Sequence, residues 1–197
     1  MTDHKFIFIH IPKTGGTSVE SALKLSLDHH DHQFYRKSFK NYTDFFVFTV
    51  VRNPFDRAVS DYKWVTNTKY TYPAKQLKKM FVSKSFEYFL DNYYNLKFKD
   101  VKRFKNLNWF KNHHSTHCRE QVDLLNPVDE VDYIMRFENL QQDFDIVCEK
   151  IGIPQQQLPH KNKTNREHYT EYYNDETKKI VAEKFSKDIE YFGYKFE

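Results

Sequence analysis

KFIFIHIPKTGGTSVESAL, residues 5–23, joins a short apolar run, a glycine-containing turn and a helical pattern. Four of the six residues from Lys5 to His10 are Phe or Ile, which predicts a buried strand. Thr17–Leu27 carries apolar residues at helical spacing and predicts an amphipathic helix. Two of the chain's four glycines lie side by side in the turn between them. The stretch therefore predicts a strand, a tight loop and a helix start.

The loop has the composition of an anion site. The first N–H groups of a helix are unpaired and the helix dipole adds partial positive charge there. Gly15 and Gly16 allow close approach of the backbone, and Lys13 adds a full charge. A turn that merely caps the helix is the alternative, but a lysine and three hydroxyls exceed what a cap requires. We expect phosphate or sulfate to bind here, with further hydroxyl donors from Thr14, Thr17 and Ser18.

This loop is not a Walker A motif. In G-x-x-x-x-G-K-[ST] the lysine follows the glycines, whereas Lys13 precedes them. No acidic magnesium ligand ends the apolar run FFVFTVV, Phe45–Val51; the next residue is Arg52. The pattern favours a metal-free phosphate site over a magnesium–nucleotide site.

A second cluster follows in VVRNPFDRAVSDYKW, residues 50–64. The strongest strand signal, Phe45–Val51, precedes Arg52, and Pro54–Trp64 suits a helix with proline at its first position. Arg52 should therefore lie at the carboxyl edge of the sheet, where open α/β sheets bind ligands. Arg57 and Ser60, three residues apart, can share a helix face. Helix capping and surface pairing are the alternative roles for Arg52 and Arg57.

Further strands and helices alternate along the chain, which predicts an α/β fold with a mainly parallel sheet. We expect one domain over residues 1–197, with a variable acceptor-binding insertion around 63–116. The remaining predicted elements are helix Ser85–Tyr94, strand Val131–Phe137, helix Leu140–Ile151 ended by Gly152, and helix Asp175–Ile189 capped by Asn174.

The composition limits the class of protein. Of 197 residues, 39% are hydrophobic and 29% charged, as in soluble globular proteins. A net charge of +4 is too small to predict nucleic-acid binding, and no apolar run approaches the ~18 residues of a membrane span. Cys118 and Cys148 form no disulfide framework, although a single bridge stays open. We expect a cytoplasmic protein with neither nucleic-acid nor membrane partners; the oligomeric state stays open.

IPKTGGTS together with VRNPFDRAVSDY resembles the sulfotransferase family, specifically the branch that includes carbohydrate O-sulfotransferases. HCREQVDLL, residues 117–125, is similar to the family's H-x-R-P-Q segment, with Glu120 where proline is usual. VDYIMRFENLQQDF and LPHKNKTNREHYTEYY resemble the strand–helix element and the late loop that follow. The resemblance implies a three-layer α/β sandwich with a mainly parallel central sheet, like P-loop NTPases.

The resemblance implies transfer of the sulfuryl group of PAPS (3′-phosphoadenosine 5′-phosphosulfate) to an acceptor hydroxyl, with a saccharide favoured and no metal needed. Lys13 would stabilise the leaving phosphate, the residues from Lys13 to Ser18 would hold the 5′-phosphosulfate, and Arg52 and Ser60 would hold the 3′-phosphate. In the late loop, basic Lys163 and Arg166 could meet that phosphate or the acceptor. The resemblance places His117, Arg119 and Gln121 near the acceptor or in support of the active-site wall.

A base must accept the hydroxyl proton, and histidine suits that role near neutral pH. In DHHDHQFY our first choice is His32 and our second His30, because related enzymes often carry a catalytic histidine in that region; the alternative is a solvated loop. Glu20 is a weaker candidate, and His29 is expected to be a bystander. The cluster NHHSTHC, with His113, His114, His117 and Cys118, has a metal site as a less favoured alternative.

Two other functions compete with sulfuryl transfer. One is a P-loop kinase using ATP and magnesium, against which the order of the loop residues argues. The other is a non-catalytic nucleotide- or glycan-binding module of the same fold. The combination of Lys13, Arg52, Ser60 and a nearby base argues against the second, and turnover would decide it.

Overall fold

A three-stranded parallel sheet forms the centre of one of the two compact units of the chain. The computed structural model describes residues 5–26, 29–66, 75–97, 107–159 and 166–197. The strands are β1 (Phe6–Ile9), β2 (Phe46–Val51) and β3 (Tyr133–Arg136), in the spatial order β1-β2-β3. Phe8 pairs with Phe48, and Val50 with Met135, both in parallel register. The predicted α/β class with a parallel sheet is confirmed.

Helices connect and follow the strands, as the alternating pattern predicts. Short 3-10 helices lie at Tyr42–Asp44, Val128–Glu130, Phe137–Asn139 and Tyr169–Tyr172. The α-helices described are α1 (Gly16–Leu23), α2 (His32–Ser38), α3 (Pro54–Thr66), α4 (Lys75–Phe81), α5 (Phe86–Tyr93), α6 (Leu107–His117), α7 (Gln121–Leu124), α8 (Leu140–Ile151), α9 (Asp175–Lys184) and α10 (Ser186–Phe192).

The chain forms two compact units, each of which is built from two separate stretches of sequence. The first contains Met1–Asn53 and Glu120–Lys163, and the second contains Pro54–Arg119 and Thr164–Glu197. The sheet with α1, α2, α7 and α8 belongs to the first unit, and the remaining α-helices belong to the second. A single catalytic domain with an insertion around residues 63–116 stays a prediction.

Both faces of the sheet in the first unit are buried. On one face, Phe8, Phe48 and Met135 pack in a cluster with Val19 of α1 and Phe144 of α8. On the other, Ile9, Val47, Thr49 and Val51 are also shielded from solvent. Burial on both faces is typical of a parallel sheet and explains the continuous apolar run of β2. All three strands consequently end at one edge of the sheet, which is where the chain can build a site.

The helices of the first unit depart from prediction in two places. Helix α1 ends at Leu23, because Lys24 adopts left-handed backbone with φ 54°; Leu27, the predicted end, lies outside the described residues. Helix α2 lies in the histidine-rich stretch that we considered as a loop, and the Asp31 side chain caps it by accepting from the Phe34 N–H. Helix α8 ends at Gly152 in left-handed backbone, as predicted.

The second unit is held by an aromatic core, with Phe55, Phe89, Tyr93 and Phe185 among its buried members. This use explains much of the 18% aromatic content of the chain. Helix α3 begins at Pro54, and Ser85 caps α5, both as predicted. The predicted last helix is instead two helices, because buried Phe185 leaves helical geometry between α9 and α10. Asn174 caps α9 as predicted, in a capping box with Thr177.

Both cysteines are free thiols, so the single bridge that the sequence left open is not formed. Burial raises the pKa of the Cys118 thiol, which disfavours the reactive thiolate. No helix in the described part of the chain combines the length and apolar character needed to cross a membrane.

Candidate active site

The loop between β1 and α1 contains a strained lysine. Lys13 has φ 68°, in the left-handed region that residues other than glycine, asparagine and aspartate rarely occupy. For such residues this conformation costs about 1–2 kcal/mol. It persists only where the surroundings fix it, and such strain concentrates at functional sites. The contacts of this stretch, residues 12–18, which we name the Lys13 loop, are therefore central to the site.

Arg52, at the end of β2, holds the Lys13 loop. Its Nη1 donates to the carbonyl of Lys13 at 2.9 Å, and its guanidinium lies 3.7 Å from the ring centre of Phe137. Its backbone is held in turn by the fully buried Gln121. The Gln121 Oε1 accepts from the Arg52 N–H, and its Nε2 donates to the Arg52 carbonyl, both at 2.9 Å. Stacking and this two-bond clamp fix the direction of the arginine.

The two adjacent glycines meet different requirements. Gly15, the N-cap of α1, has φ 89°, and a Cβ there would also lie 3.0 Å from the side chains of Phe137 and Leu140. Gly16 shows no such backbone conformation. A Cβ at Gly16 would instead overlap the imidazole of His10, lying within 2.9 Å even of its Cγ. Gly15 is therefore needed for the turn, and Gly16 for the close approach of a histidine.

His10, which the sequence analysis passed over, directly follows β1 and is 5% exposed. Its Nδ1 lies 2.6 Å from the Glu20 Oε1 of α1. The His29 Nδ1 donates to the His10 carbonyl at 3.2 Å, and the two rings meet edge to face with centroids 4.3 Å apart. One signal could have found His10: it comes directly after a buried strand, and so lies at the edge of the sheet where ligands bind.

The predicted hydroxyl donors of the loop differ in their surroundings. The Thr14 hydroxyl is fully buried and donates to the Ile11 carbonyl at 2.8 Å. Its proton is thus used within the loop, which leaves the Thr14 backbone as the group suited to an anion. Thr17 is exposed, whereas Ser18 is buried and its N–H donates to the Gly15 carbonyl at 2.9 Å. The roles of all three in binding stay predictions.

His32 and His30, the two histidines predicted as the base, make their described contacts with residues outside the Lys13 loop. His32 is fully buried, with Nε2 3.5 Å from the Glu130 carboxylate and its ring edge-on to Tyr42. Burial lowers the pKa of His32, and the Glu130 carboxylate opposes this only in part. The half-buried His30 stacks on Phe34 with ring centroids 3.6 Å apart. The His32 side chain has no exposed surface at all, so it cannot meet an acceptor without rearrangement, which favours a structural role.

The burial of His32 predicts a pH dependence of stability. Because the folded state lowers the pKa of this histidine below its ordinary value of 6.5, the unfolded chain binds the proton more readily. The free energy of unfolding should therefore fall as the pH drops below about 6.5. Urea unfolding at about pH 7.5 and 5 should show a smaller fall for His32→Gln than for wild type. The exposed His168→Gln is the control, and an equal fall in all three proteins would contradict the prediction.

The second unit contains four other predicted site residues, Ser60, His117, Arg119 and Arg166, and most of them make structural contacts there. Ser60 lies half-buried on α3. His117 is buried, with its Nδ1 2.6 Å from the Asp61 carboxylate. Arg166 forms an ion pair with Asp56. Lys163 lies outside the described residues.

Arg57 has the capping role that we considered as its alternative. It is 1% exposed, and its guanidinium donates to the carbonyls of Thr116, His117 and Arg119 at 3.1–3.4 Å. These carbonyls belong to the end of α6 and the residues after it, where a cation also complements the helix dipole. Arg119 thus contributes its carbonyl to a structural contact, whatever its side chain does.

The alternative metal site at NHHSTHC has competing contacts. The His114 Nε2 lies 2.7 Å from the Tyr93 carbonyl, and burial lowers the pKa of His114. His117 pairs with Asp61, and the side chain of His113 is outside the described part of the structure. Among the described residues, no three His, Cys, Asp or Glu side chains are grouped to hold a metal ion.

Comparison with known proteins bears on the family. No curated protein matches the chain. Among solved structures, it is similar to the crystal structure of a sulfotransferase from Alicyclobacillus acidocaldarius, with 13% sequence identity and a TM-score of 0.39. That match covers 96% of this chain and 87% of the other. A model of the Sulfotransferase family matches residues 1–195. Because that match spans nearly the whole sequence, the chain belongs to the sulfotransferase family.

Proposed function

We propose that this protein is a PAPS-dependent O-sulfotransferase whose acceptor is a saccharide hydroxyl. The observation that carries the proposal is the Lys13 loop, in which a strained lysine is tied to Arg52 at the edge of a parallel sheet. The family match supports sulfuryl transfer as the reaction. The saccharide rests on the resemblance of the two sequence motifs to carbohydrate O-sulfotransferases.

The loop fits a phosphosulfate group. Helix α1 begins at Gly16 after a glycine cap, so no side chain of the cap residue covers its first N–H groups. The Lys13 ammonium adds a full positive charge, and the adjacent Arg52 adds a second. The chain thus concentrates donors and positive charge around one short loop, as binding of a doubly charged anion requires.

Sulfuryl transfer depends mainly on position and electrostatics, as phosphoryl transfer does. When bound, PAPS supplies the sulfuryl group and a stable leaving group, adenosine 3′,5′-bisphosphate. Lys13 stabilises the negative charge that develops on the leaving oxygen, while the N–H groups at the start of α1 hold the 5′-phosphate. Because the Arg52 contact already fixes the Lys13 backbone in its strained conformation, little reorganisation is needed during the reaction.

Other roles in the proposal rest on the resemblance. It assigns Arg52 and Ser60 to the 3′-phosphate, and Lys163 and Arg166 to that phosphate or the acceptor. It assigns His117, Arg119 and Gln121 to the acceptor or to the wall of the site. For Gln121, the clamp on the Arg52 backbone supports the second of these roles.

The test is calorimetric titration with adenosine 3′,5′-bisphosphate, ADP, and ATP with magnesium. We expect the bisphosphate to bind at least about tenfold more tightly than ADP, because a charge-assisted contact to the 3′-phosphate contributes about 1.5–3 kcal/mol. Incubation with PAPS and a panel of saccharides, aryl alcohols and tyrosine peptides should then give a sulfated saccharide. Preference for ATP with magnesium would favour a kinase, and binding without turnover a non-catalytic module. If only aryl alcohols or tyrosine peptides are sulfated, the proposal of a saccharide acceptor is wrong.

A further inference from the structure

We propose that His10 is the general base of this active site and that Glu20 orients it. The inference rests on the proposed function, because it needs a sulfuryl donor in the Lys13 loop. It replaces His32 and His30, our first and second choices from the sequence. All the residues that carry it, including Gly16, belong to the first unit.

His10 lies beside the Lys13 loop. It follows the last residue of β1 and precedes Lys13 by three residues, so it shares the carboxyl edge of the sheet with this loop. Its ring lies against the first residue of α1, since the imidazole occupies the space that a Cβ at Gly16 would fill. The chain keeps a glycine at a position where the backbone does not demand one. Glycine at this position brings the imidazole next to the N–H groups at the start of α1, which are suited to binding the sulfuryl donor.

Glu20 fixes the orientation and the tautomer of the ring. A carboxylate oxygen only accepts hydrogen bonds, so at 2.6 Å from the Glu20 Oε1 the His10 Nδ1 is the donor. The neutral imidazole therefore carries its lone pair on Nε2. Cδ2 and Nε2 are the two ring atoms nearest to the Cβ position of Gly16, so this edge of the ring faces the Lys13 loop. The lone pair of Nε2 is thus directed to the side where the sulfuryl donor, PAPS, would be held.

Glu20 also stabilises the charged form of the base. Glu20 is 13% exposed and His10 is 5% exposed, so little water competes for their hydrogen bond. A carboxylate on Nδ1 stabilises the imidazolium that forms when Nε2 accepts a proton.

Proton transfer to His10 accompanies the transfer of the sulfuryl group. The acceptor O–H bond breaks and its proton passes to the His10 Nε2, while an oxygen electron pair forms the new O–S bond. The S–O bond to the leaving phosphate breaks, and its electron pair stays on that phosphate oxygen beside Lys13. After the products leave, His10 gives its proton to water. No oxidant or reductant is needed for this exchange of bonds.

The experiment compares His10→Asn, Glu20→Gln and wild type with the saccharide acceptor found by the screen above. Asparagine places a donor near the position of Nδ1 and removes Nε2, so contact with Glu20 is kept and the base is lost. We expect His10→Asn to lower kcat by about a hundredfold, a common contribution of general base catalysis, and to abolish the acid limb of the pH–rate profile. Affinity for adenosine 3′,5′-bisphosphate should change less than about threefold, since this substitution spares the loop.

Glu20→Gln keeps the base and removes the charge that stabilises its protonated form. We expect a loss of kcat smaller than that of His10→Asn, with affinity for adenosine 3′,5′-bisphosphate kept within about threefold of wild type. The histidine ring N–H signal that His10→Asn removes from NMR spectra should move upfield in Glu20→Gln without any nucleotide present, because an amide oxygen is a weaker acceptor than a carboxylate. His29→Asn and His30→Asn are the matched controls and should retain the acid limb.

Three results would overturn the inference. One is an unchanged acid limb in His10→Asn. Another is parallel loss of kcat and bisphosphate affinity, which would mean that His10 only supports the loop. The third is loss of the acid limb in His29→Asn or His30→Asn instead. If wild type itself fails to bind the bisphosphate, the proposed function fails; if wild type binds and turns over, only the assignment of His10 is at stake.

Discussion

Lys13→Ala should lower kcat by about a thousandfold while leaving the dissociation constant of adenosine 3′,5′-bisphosphate within about threefold of wild type. The ammonium acts on charge that appears only as the leaving oxygen separates, so its loss affects the transition state more than the bound ground state. Charge stabilisation of this kind contributes about 3–4 kcal/mol per donor in a preorganised site. Steady-state rates with PAPS and calorimetry with the bisphosphate give the two quantities separately.

The chain offers a matched control for this substitution. Lys24, at the other end of α1, also adopts left-handed backbone, with φ 54°. Lys24→Ala therefore imposes the same change of side chain on a similar backbone and should leave kcat within about twofold. Lys13→Gly separates strain from chemistry, since glycine relieves the left-handed backbone at no steric cost. It should be as inactive as Lys13→Ala but more stable to heat, and an active Lys13→Gly would contradict the role of the ammonium.

Local patterns predicted the frame of the site. The apolar runs of β1 and β2, the glycines after β1 and the proline that opens α3 are signals within a few residues of each other, and each element forms close to its expected bounds. Arg52 was predictable for the same reason, because parallel strands that are followed by loops must end at one edge. The resemblance to the sulfotransferase family rests first on IPKTGGTS and VRNPFDRAVSDY, which belong to these same elements.

The contacts of the site required the folded chain. His10 meets Glu20 ten residues later, and Gln121 reaches the backbone of Arg52 across 69 positions. Neither pairing follows from helical or strand periodicity, since both depend on which strand ends become neighbours. The burial of His32 could not be predicted for the same reason: its stretch is polar in sequence, yet His32 is fully buried in the helix that Asp31 caps. The sequence allowed a solvated loop in this stretch, whereas in the folded chain His32 is a core residue.

The glycine pair illustrates the difference between what local sequence predicts and what the folded chain shows. From the sequence, both glycines serve one purpose, which is close approach of an anion to the backbone. In the structure, Gly15 is needed because its φ is 89° and Phe137 and Leu140 lie against it, whereas Gly16 leaves room for His10. The predicted anion site is therefore also a packing site, where residues that follow β1, β2 and β3 each contact the Lys13 loop.

Arg52→Ala should weaken binding of adenosine 3′,5′-bisphosphate by about a hundredfold, a loss of about 3 kcal/mol. Two effects add. The proposed charge-assisted contacts to the 3′-phosphate disappear, and the Lys13 carbonyl loses the guanidinium that holds it at 2.9 Å. Arg52→Lys keeps the charge but cannot reproduce the planar fork that stacks on Phe137, so it should weaken binding by about tenfold. Calorimetry measures both.

The controls separate the two effects. Arg36→Ala removes a half-exposed arginine from the same unit and should leave the affinity unchanged, which excludes a general effect of net charge. ADP lacks the 3′-phosphate, so its affinity reports the support of the loop alone. If Arg52→Ala weakens ADP and bisphosphate equally, Arg52 acts by holding Lys13 and not by contacting the 3′-phosphate. If neither affinity changes, the nucleotide does not bind at this edge of the sheet, because a site built on the Lys13 loop must feel the loss of the guanidinium that holds it.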